Sequence, residues 1–230
     1  MRLSVFIWSS CLPKTARPNR LLLIALLLCV SSVFAEITGL TEGLLNHIAR
    51  TYGQEAKLRL IDWQGLIRAG MNRSEAEKLA LVNSFFNRVV FVDDIIHWKK
   101  PDYWATPVEM LATNGGDCED FSIAKYLTLR EMGVPDERML ITYVKSVKLN
   151  QAHMVLTYYP SPEANPMVLD NLVNEIKPAS ERSDLLPVYS FNGGGLWLSK
   201  ERGRGRRVGS SAQISLWREL EARIEKEKSR

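Results

Sequence analysis

Cys118 stands in Asn114-Gly115-Gly116-Asp117-Cys118-Glu119-Asp120, and the chain holds only two other cysteines, Cys11 and Cys29. Both of those fall in a stretch that reads as an export signal, which leaves Cys118 as the single thiol of the exported protein. A lone thiol in an oxidising compartment has no intramolecular disulfide to form and is open to oxidation. Its presence asks for a chemical reason, and nucleophilic catalysis is the first to weigh. A cysteine nucleophile needs a base that is itself held by a third group. The candidates are three, His47, His97 and His153. His47 lies in an early helix as a surface or core residue. His97 adjoins Trp98-Lys99-Lys100, which reads as a loop. His153 opens an apolar strand, and the next strand carries Asp170. A base followed by an acid on a neighbouring strand fits the triad logic; the plainer reading of His153 is a strand-end histidine with no chemical role.

The neighbours of Cys118 pose a physical problem. Asp117, Glu119 and Asp120 place three carboxylates beside a thiol that must ionise, and like charge raises a thiol pKa. A bound cation would remove the conflict, and crowded carboxylates next to turn carbonyls suit a hard, oxygen-seeking ion such as Ca²⁺. The cluster lacks the spacing of an EF-hand loop. In the alternative reading Asp117 is only a helix N-cap, while Glu119 and Asp120 answer the helix dipole. Gly115-Gly116 is expected to turn the chain tightly into the helix and to admit a substrate backbone. The Cys118 N–H is then a natural oxyanion donor.

These residues need elements to hold them. Glu42–Tyr52 reads as a helix with Leu44, Leu45 and Ile48 on one face. Ser74-Glu75-Ala76-Glu77 and Thr106-Pro107-Val108-Glu109 are capping-box patterns, the second with proline at the first helical position. Asp117 N-caps a helix that runs to about Met132 and stops at Gly133, which sets Cys118 in its first turn. Residues 139–144, 153–159 and 167–172 then read as strands. A hairpin centred near Pro162 would bring His153 and Asp170 roughly opposite one another. Asn192-Gly193-Gly194-Gly195 marks a further hairpin turn. Residues 200–211 are rich in Gly, Arg and Ser and read as a linker. Residues 214–228 form an amphipathic helix with Leu216, Trp217, Leu220 and Ile224 on one side and a possible Glu219–Arg223 pair, expected to pack back on the domain.

The organisation expected is therefore a signal over 1–35, one domain over 36–199 and a basic linker and helix over 200–230. The signal rests on Arg2, Lys14, Arg17 and Arg20 ahead of the apolar run Leu21–Val30 and the small residues ending at Ala35. Its alternative is an uncleaved anchor, for which the run is short. Without residues 1–35 the chain has 26 basic and 26 acidic residues, and residues 36–199 have 16 basic and 21 acidic. That acidic body argues against nucleic acid as a partner.

Taken together, Trp104-Ala105-Thr106-Pro107-Val108-Glu109, Gly116-Asp117-Cys118-Glu119-Asp120-Phe121, Tyr143-Val144-Lys145, Ala152-His153-Met154-Val155-Leu156, Val168-Leu169-Asp170-Asn171-Leu172 and Pro187-Val188-Tyr189-Ser190-Phe191-Asn192 resemble the bacterial transglutaminase-like cysteine proteinases, and within them the periplasmic LapG-type proteases. The resemblance covers most of residues 36–198 and departs nowhere at Cys118, His153 or Asp170. It implies an α+β, papain-like fold, with the cysteine at a helix N-terminus packed on an antiparallel sheet that carries the histidine and the aspartate. It implies Cys118 as nucleophile, His153 as base, Asp170 as orienting acid, and a calcium site on Asp117, Glu119 and Asp120. Proteases of this kind act in the periplasm, where they cut a large, repeat-containing surface adhesin near its N-terminus and so disperse biofilm. An inner-membrane cyclic di-GMP receptor sequesters them; the nucleotide itself is not expected to bind this chain. Three other classes stay open: an acyltransferase using the same triad, a non-catalytic binding module and a peptidoglycan hydrolase. Trp104 reads as cleft wall or as core.

Overall fold

The computed structural model describes residues 40–198 and 205–229. The expected signal, with Cys11 and Cys29, and the first part of the expected linker, 200–204, lie outside the described residues. The first half is helical. Thr41 caps α1 (Glu42–Tyr52) by accepting the Leu44 N–H at 3.1 Å, and Leu44, Leu45 and Ile48 form its buried face. Gly53, at φ 91°, ends α1 where the sequence places its end, and α2 (Gln54–Gly70), a helix not named from the sequence, follows. The Ser74–Glu77 capping box opens α3 (Glu75–Phe86). A two-residue strand β1 (Val90–Phe91) and a single turn α4 (Asp94–His97) follow, so His97 closes a helical turn rather than sitting in a loop. The Thr106–Glu109 capping box, with Pro107 at the first position, opens α5 (Pro107–Thr113).

The central helix α6 (Cys118–Glu131) is buried from Glu119 through Leu129. Buried on all sides, it has no single apolar stripe, and this is why its sequence shows only a weak helical periodicity. Trp63 on α2 donates to its Thr128 Oγ1 at 2.8 Å. Gly133, at φ 83°, ends it as expected.

The second half is one antiparallel sheet, in spatial order β6-β5-β4-β3-β7-β8-β9. Its strands are β3 (Met139–Ser146), β4 (Gln151–Tyr158), β5 (Met167–Leu169), β6 (Lys177–Pro178), β7 (Leu185–Asn192), β8 (Gly195–Leu198) and β9 (Arg207–Gly209). The fold is thus α+β, with α6 packed against β4. The strand β9 corrects the linker reading: Arg207 to Gly209 pairs with β8 at the sheet edge. An edge strand held by backbone hydrogen bonds needs no apolar alternation, so its composition did not reveal it. Helix α7 (Ser215–Lys228) packs back, burying Trp217 and Leu220. Its Arg223 pairs with Glu109 of α5 at 3.4 Å, not with Glu219 as the helical spacing suggested.

Candidate active site

The approach to Cys118 is built by close packing. Asn114, at φ 55° and ψ 39°, takes the left-handed turn that ends α5. Gly115 and Gly116 are extended and form β2, pairing in parallel with Val90 and Phe91. This corrects the reading of the glycines as the turn itself. They are required for proximity: a Cβ on Gly115 would lie 2.8 Å from the His97 ring, and one on Gly116 would lie 2.6 Å from Asp120 Oδ2. His97 is further held by Thr113 Oγ1 at 2.8 Å, so its role is to pack this turn. His47 is exposed on α1.

Asp117 is the N-cap residue of α6 and Cys118 its first residue, as expected. The Cys118 sulfur accepts a hydrogen bond from the Met154 backbone N–H, next in sequence to His153. The thiol donates to Glu119 Oε2 at 3.1 Å. Burial pushes the thiol pKa well above its usual range, and the Glu119 and Asp117 carboxylates push it further in the same direction. The like-charge conflict read from the sequence is therefore present in the folded site.

His153 and Asp170 meet. His153 Nε2 lies 2.8 Å from Asp170 Oδ1, and the two side chains are 3% and 0% exposed. Pairing of β4 with β5 runs Leu156↔Leu169, so continuing the register would set Asp170 against Val155. The histidine is therefore not directly opposite the aspartate but a diagonal neighbour, within reach of a long side chain. Asp170 has a second partner that the sequence reading missed. Arg182 Nη2 donates to Asp170 Oδ2 at 2.8 Å while its Nε and Nη2 hold Asp184 at 2.9 Å each. The Leu172 N–H adds a bond to Oδ1 at 3.0 Å, and Asn87 at the end of α3 holds the Asp170 carbonyl at 2.8 Å. Burial alone would raise the Asp170 pKa; the bonds from His153, Leu172 and Arg182 overcome it and hold the carboxyl at about 2.

The acidic cluster is larger than the three residues the sequence suggested. Carboxylates of Asp94, Asp117 and Asp120 approach within 4.8 Å of one another, and those of Asp94, Asp102 and Glu119 do the same. Asp94 and Asp102 were not foreseen, because they lie far from Cys118 in sequence and carry no spacing signal. Burial, with the neighbouring carboxylates, lifts Asp94 to about 6, Asp117 to about 8, Glu119 to about 7, and Asp120 well above its ordinary range. Asp120 has both oxygens engaged, accepting Ala105 N–H at 2.6 Å and Asp117 N–H at 3.2 Å. By contrast, Asp94 Oδ1 and Asp117 Oδ1 are buried without a hydrogen-bond partner. Buried carboxylate oxygens with no donor cost free energy unless something positive meets them. An all-oxygen donor set of this kind fits a hard divalent cation such as calcium. Trp104 is 4% exposed and stacks on Phe191 at 5.4 Å, so it belongs to the core.

The family model of the bacterial transglutaminase-like cysteine proteinases matches residues 61–186. Among solved structures, EGTA-treated LapG of Legionella pneumophila is 44% identical, with 78% of this chain and 95% of that one covered and a TM-score of 0.70. Calcium-bound LapG of the same organism is 43% identical, with 76% and 97% covered and a TM-score of 0.67. A comparison with curated proteins finds no match.

Proposed function

We propose a calcium-dependent endopeptidase activity for this chain, which belongs to the bacterial transglutaminase-like cysteine proteinases. The observation that carries the reading is the buried His153–Asp170 pair at 2.8 Å, on a chain whose next residue, Met154, bonds through its N–H to the Cys118 sulfur at the N-terminus of α6. Asp170 engages Nε2 of the ring, so in this reading Nδ1 is the nitrogen that serves the thiol. In the reaction so derived, His153 takes the Cys118 proton as sulfur bonds to the scissile carbonyl carbon. The Cys118 N–H, at the positive end of α6, meets the developing oxyanion. The C–N bond then breaks, the amine leaves with the proton from His153, and a thioester remains. Water, deprotonated by His153, attacks that carbon; the C–S bond breaks and the thiol is restored.

Asp94, Asp102, Asp117 and Glu119, oriented with Asp120, would hold the calcium ion. When bound, the ion supplies positive charge that offsets the carboxylates opposing ionisation of Cys118. A calcium-bound structure of LapG, 43% identical to this chain, supports the reading.

The substrate assigned is the N-terminal region of a large, repeat-containing surface adhesin, reached in the periplasm after export by residues 1–35. Release of the adhesin would disperse biofilm. Control falls to an inner-membrane cyclic di-GMP receptor that sequesters the protease, with no nucleotide bound by this chain. The test is cleavage of a purified adhesin N-terminal fragment by the exported protein, with and without chelator, beside Cys118→Ala. Calcium-dependent cutting that the variant lacks is the expected result. No cutting by folded, calcium-loaded enzyme overturns the substrate assignment, and incorporation of an added amine in place of water would instead reveal an acyltransferase.

A further inference from the structure

The C-terminal helix reaches the acidic cluster through a single peptide unit. Arg223, half-buried on α7, donates from Nη2 to the carbonyl of Trp104. The N–H of that same peptide unit, on Ala105, donates to Asp120 Oδ1 at 2.6 Å. A guanidinium thus sits on the carbonyl end of one amide and a buried carboxylate on its N–H end. Charge at the carbonyl polarises the amide and strengthens its N–H bond to the carboxylate. Two residues before Ala105, the Tyr103 N–H donates to Asp94 Oδ2 at 2.5 Å. The segment 103–105 therefore orients two carboxylates of the cluster from its own backbone.

Helix α7 grips this segment at several points. The Arg223 guanidinium lies 4.4 Å over the Tyr103 ring. It pairs at 3.4 Å with Glu109, which also accepts from Tyr103 OH at 2.8 Å and Thr106 N at 2.9 Å. Thr106 Oγ1 donates to Glu227 near the end of α7 at 2.6 Å. The helix is anchored by Trp217, 1% exposed, whose ring meets Phe191 at 5.4 Å, and Phe191 in turn stacks on Trp104.

We propose that Arg223 is a positioning residue for the cation site: the C-terminal helix sets calcium affinity by holding the 103–105 backbone that orients Asp94 and Asp120. This rests on the calcium reading given above. Groups that orient metal ligands typically change affinity by about 10–100-fold when removed, whereas a residue that only packs a tail changes stability without moving affinity.

The experiment is a calcium titration of thermal unfolding on the exported protein, paired with direct calcium binding against a fluorescent chelator. The proteins are wild type, Arg223→Gln, and Arg73→Gln as a control on the exposed Arg73–Glu77 pair. Expected is a calcium-induced rise in Tm for wild type and control, with the Arg223→Gln half-saturation point about tenfold or more higher. A wild type that calcium neither binds nor stabilises refutes the cation reading itself. A wild type that responds, with Arg223→Gln saturating at the same concentration, refutes the positioning role alone, even if the metal-free Tm falls. Should Arg223→Gln fail to fold, Glu227→Ala, which loosens the same helix at Thr106, decides: a weakened calcium response supports the proposal and an unchanged one overturns it.

Discussion

Arg182 and Asp170 form a 2.8 Å ion pair in which the aspartate side chain is fully buried and the arginine side chain is 5% exposed. The arginine occupies the carboxylate oxygen that His153 does not, so one aspartate is fixed from both sides. Removing one partner of a buried pair leaves the other charge stranded, which is costlier than never having built the pair. Arg182→Met is expected to lower stability by about 3 kcal/mol and to reduce cleavage, because Asp170 loses a group that aims it at His153. Urea denaturation measures the first effect and initial rates the second; unchanged values in both would remove Arg182 from the site.

The same aspartate sets an acid limit. Its folded pKa of about 2 lies below its ordinary 3.8, so its contribution to stability is present above 3.8 and is lost as the pH falls through 2. Asp170→Asn should flatten the pH dependence of unfolding in that window, as read by acid titration of the circular dichroism signal.

The carboxylate cluster carries the opposite sign. Asp94, Asp117 and Glu119 have folded pKa values raised to about 6, 8 and 7. The folded state therefore binds more protons than the unfolded one across the range from their ordinary values up to these, and stability falls as the pH rises through it. Chelated protein should melt at a lower temperature at pH 8 than at pH 5, and calcium should erase most of the difference. A chelated Tm that is flat between these two values would contradict the crowding.

Asp94 lies some two dozen residues before Cys118 in the chain yet has a buried, unpartnered oxygen in the cluster. Asp94→Asn should weaken calcium binding by about tenfold or more, measured by isothermal titration. The substituted side chain keeps an acceptor for the Tyr103 N–H, so far-UV circular dichroism should be unchanged.

Gly116 faces Asp120 so closely that an added Cβ would sit 2.6 Å from Oδ2 and 2.9 Å from Cβ of that residue. Gly116→Ala is expected to destabilise the protein by about 1–3 kcal/mol and to depress activity, because Asp120 must shift away from the Asp117 and Ala105 N–H groups. Gly65→Ala, where nothing lies within 4 Å, supplies the control in chemical denaturation.

What could be read from the chain alone is what is encoded within a few residues. Ser74 with Glu77, Thr106 with Pro107 and Glu109, and Asp117 ahead of Cys118 announce helix starts, because a cap and the N–H it satisfies lie within one turn. The strands around His153 and Asp170 were legible from their apolar runs, and the motif set pointed to the family. The register between them was not, since a diagonal and a direct pairing differ only in how the hairpin closes. Arg182 on Asp170, Asp94 and Asp102 beside Asp117 and Glu119, and Arg223 on Trp104 and Glu109 in place of Glu219 were decided by the tertiary structure. Each joins groups that are distant in sequence, or chooses a distant partner over a local one. The choice follows from which groups the packed core removes from water together, because a buried charge must be met by whatever the fold places beside it.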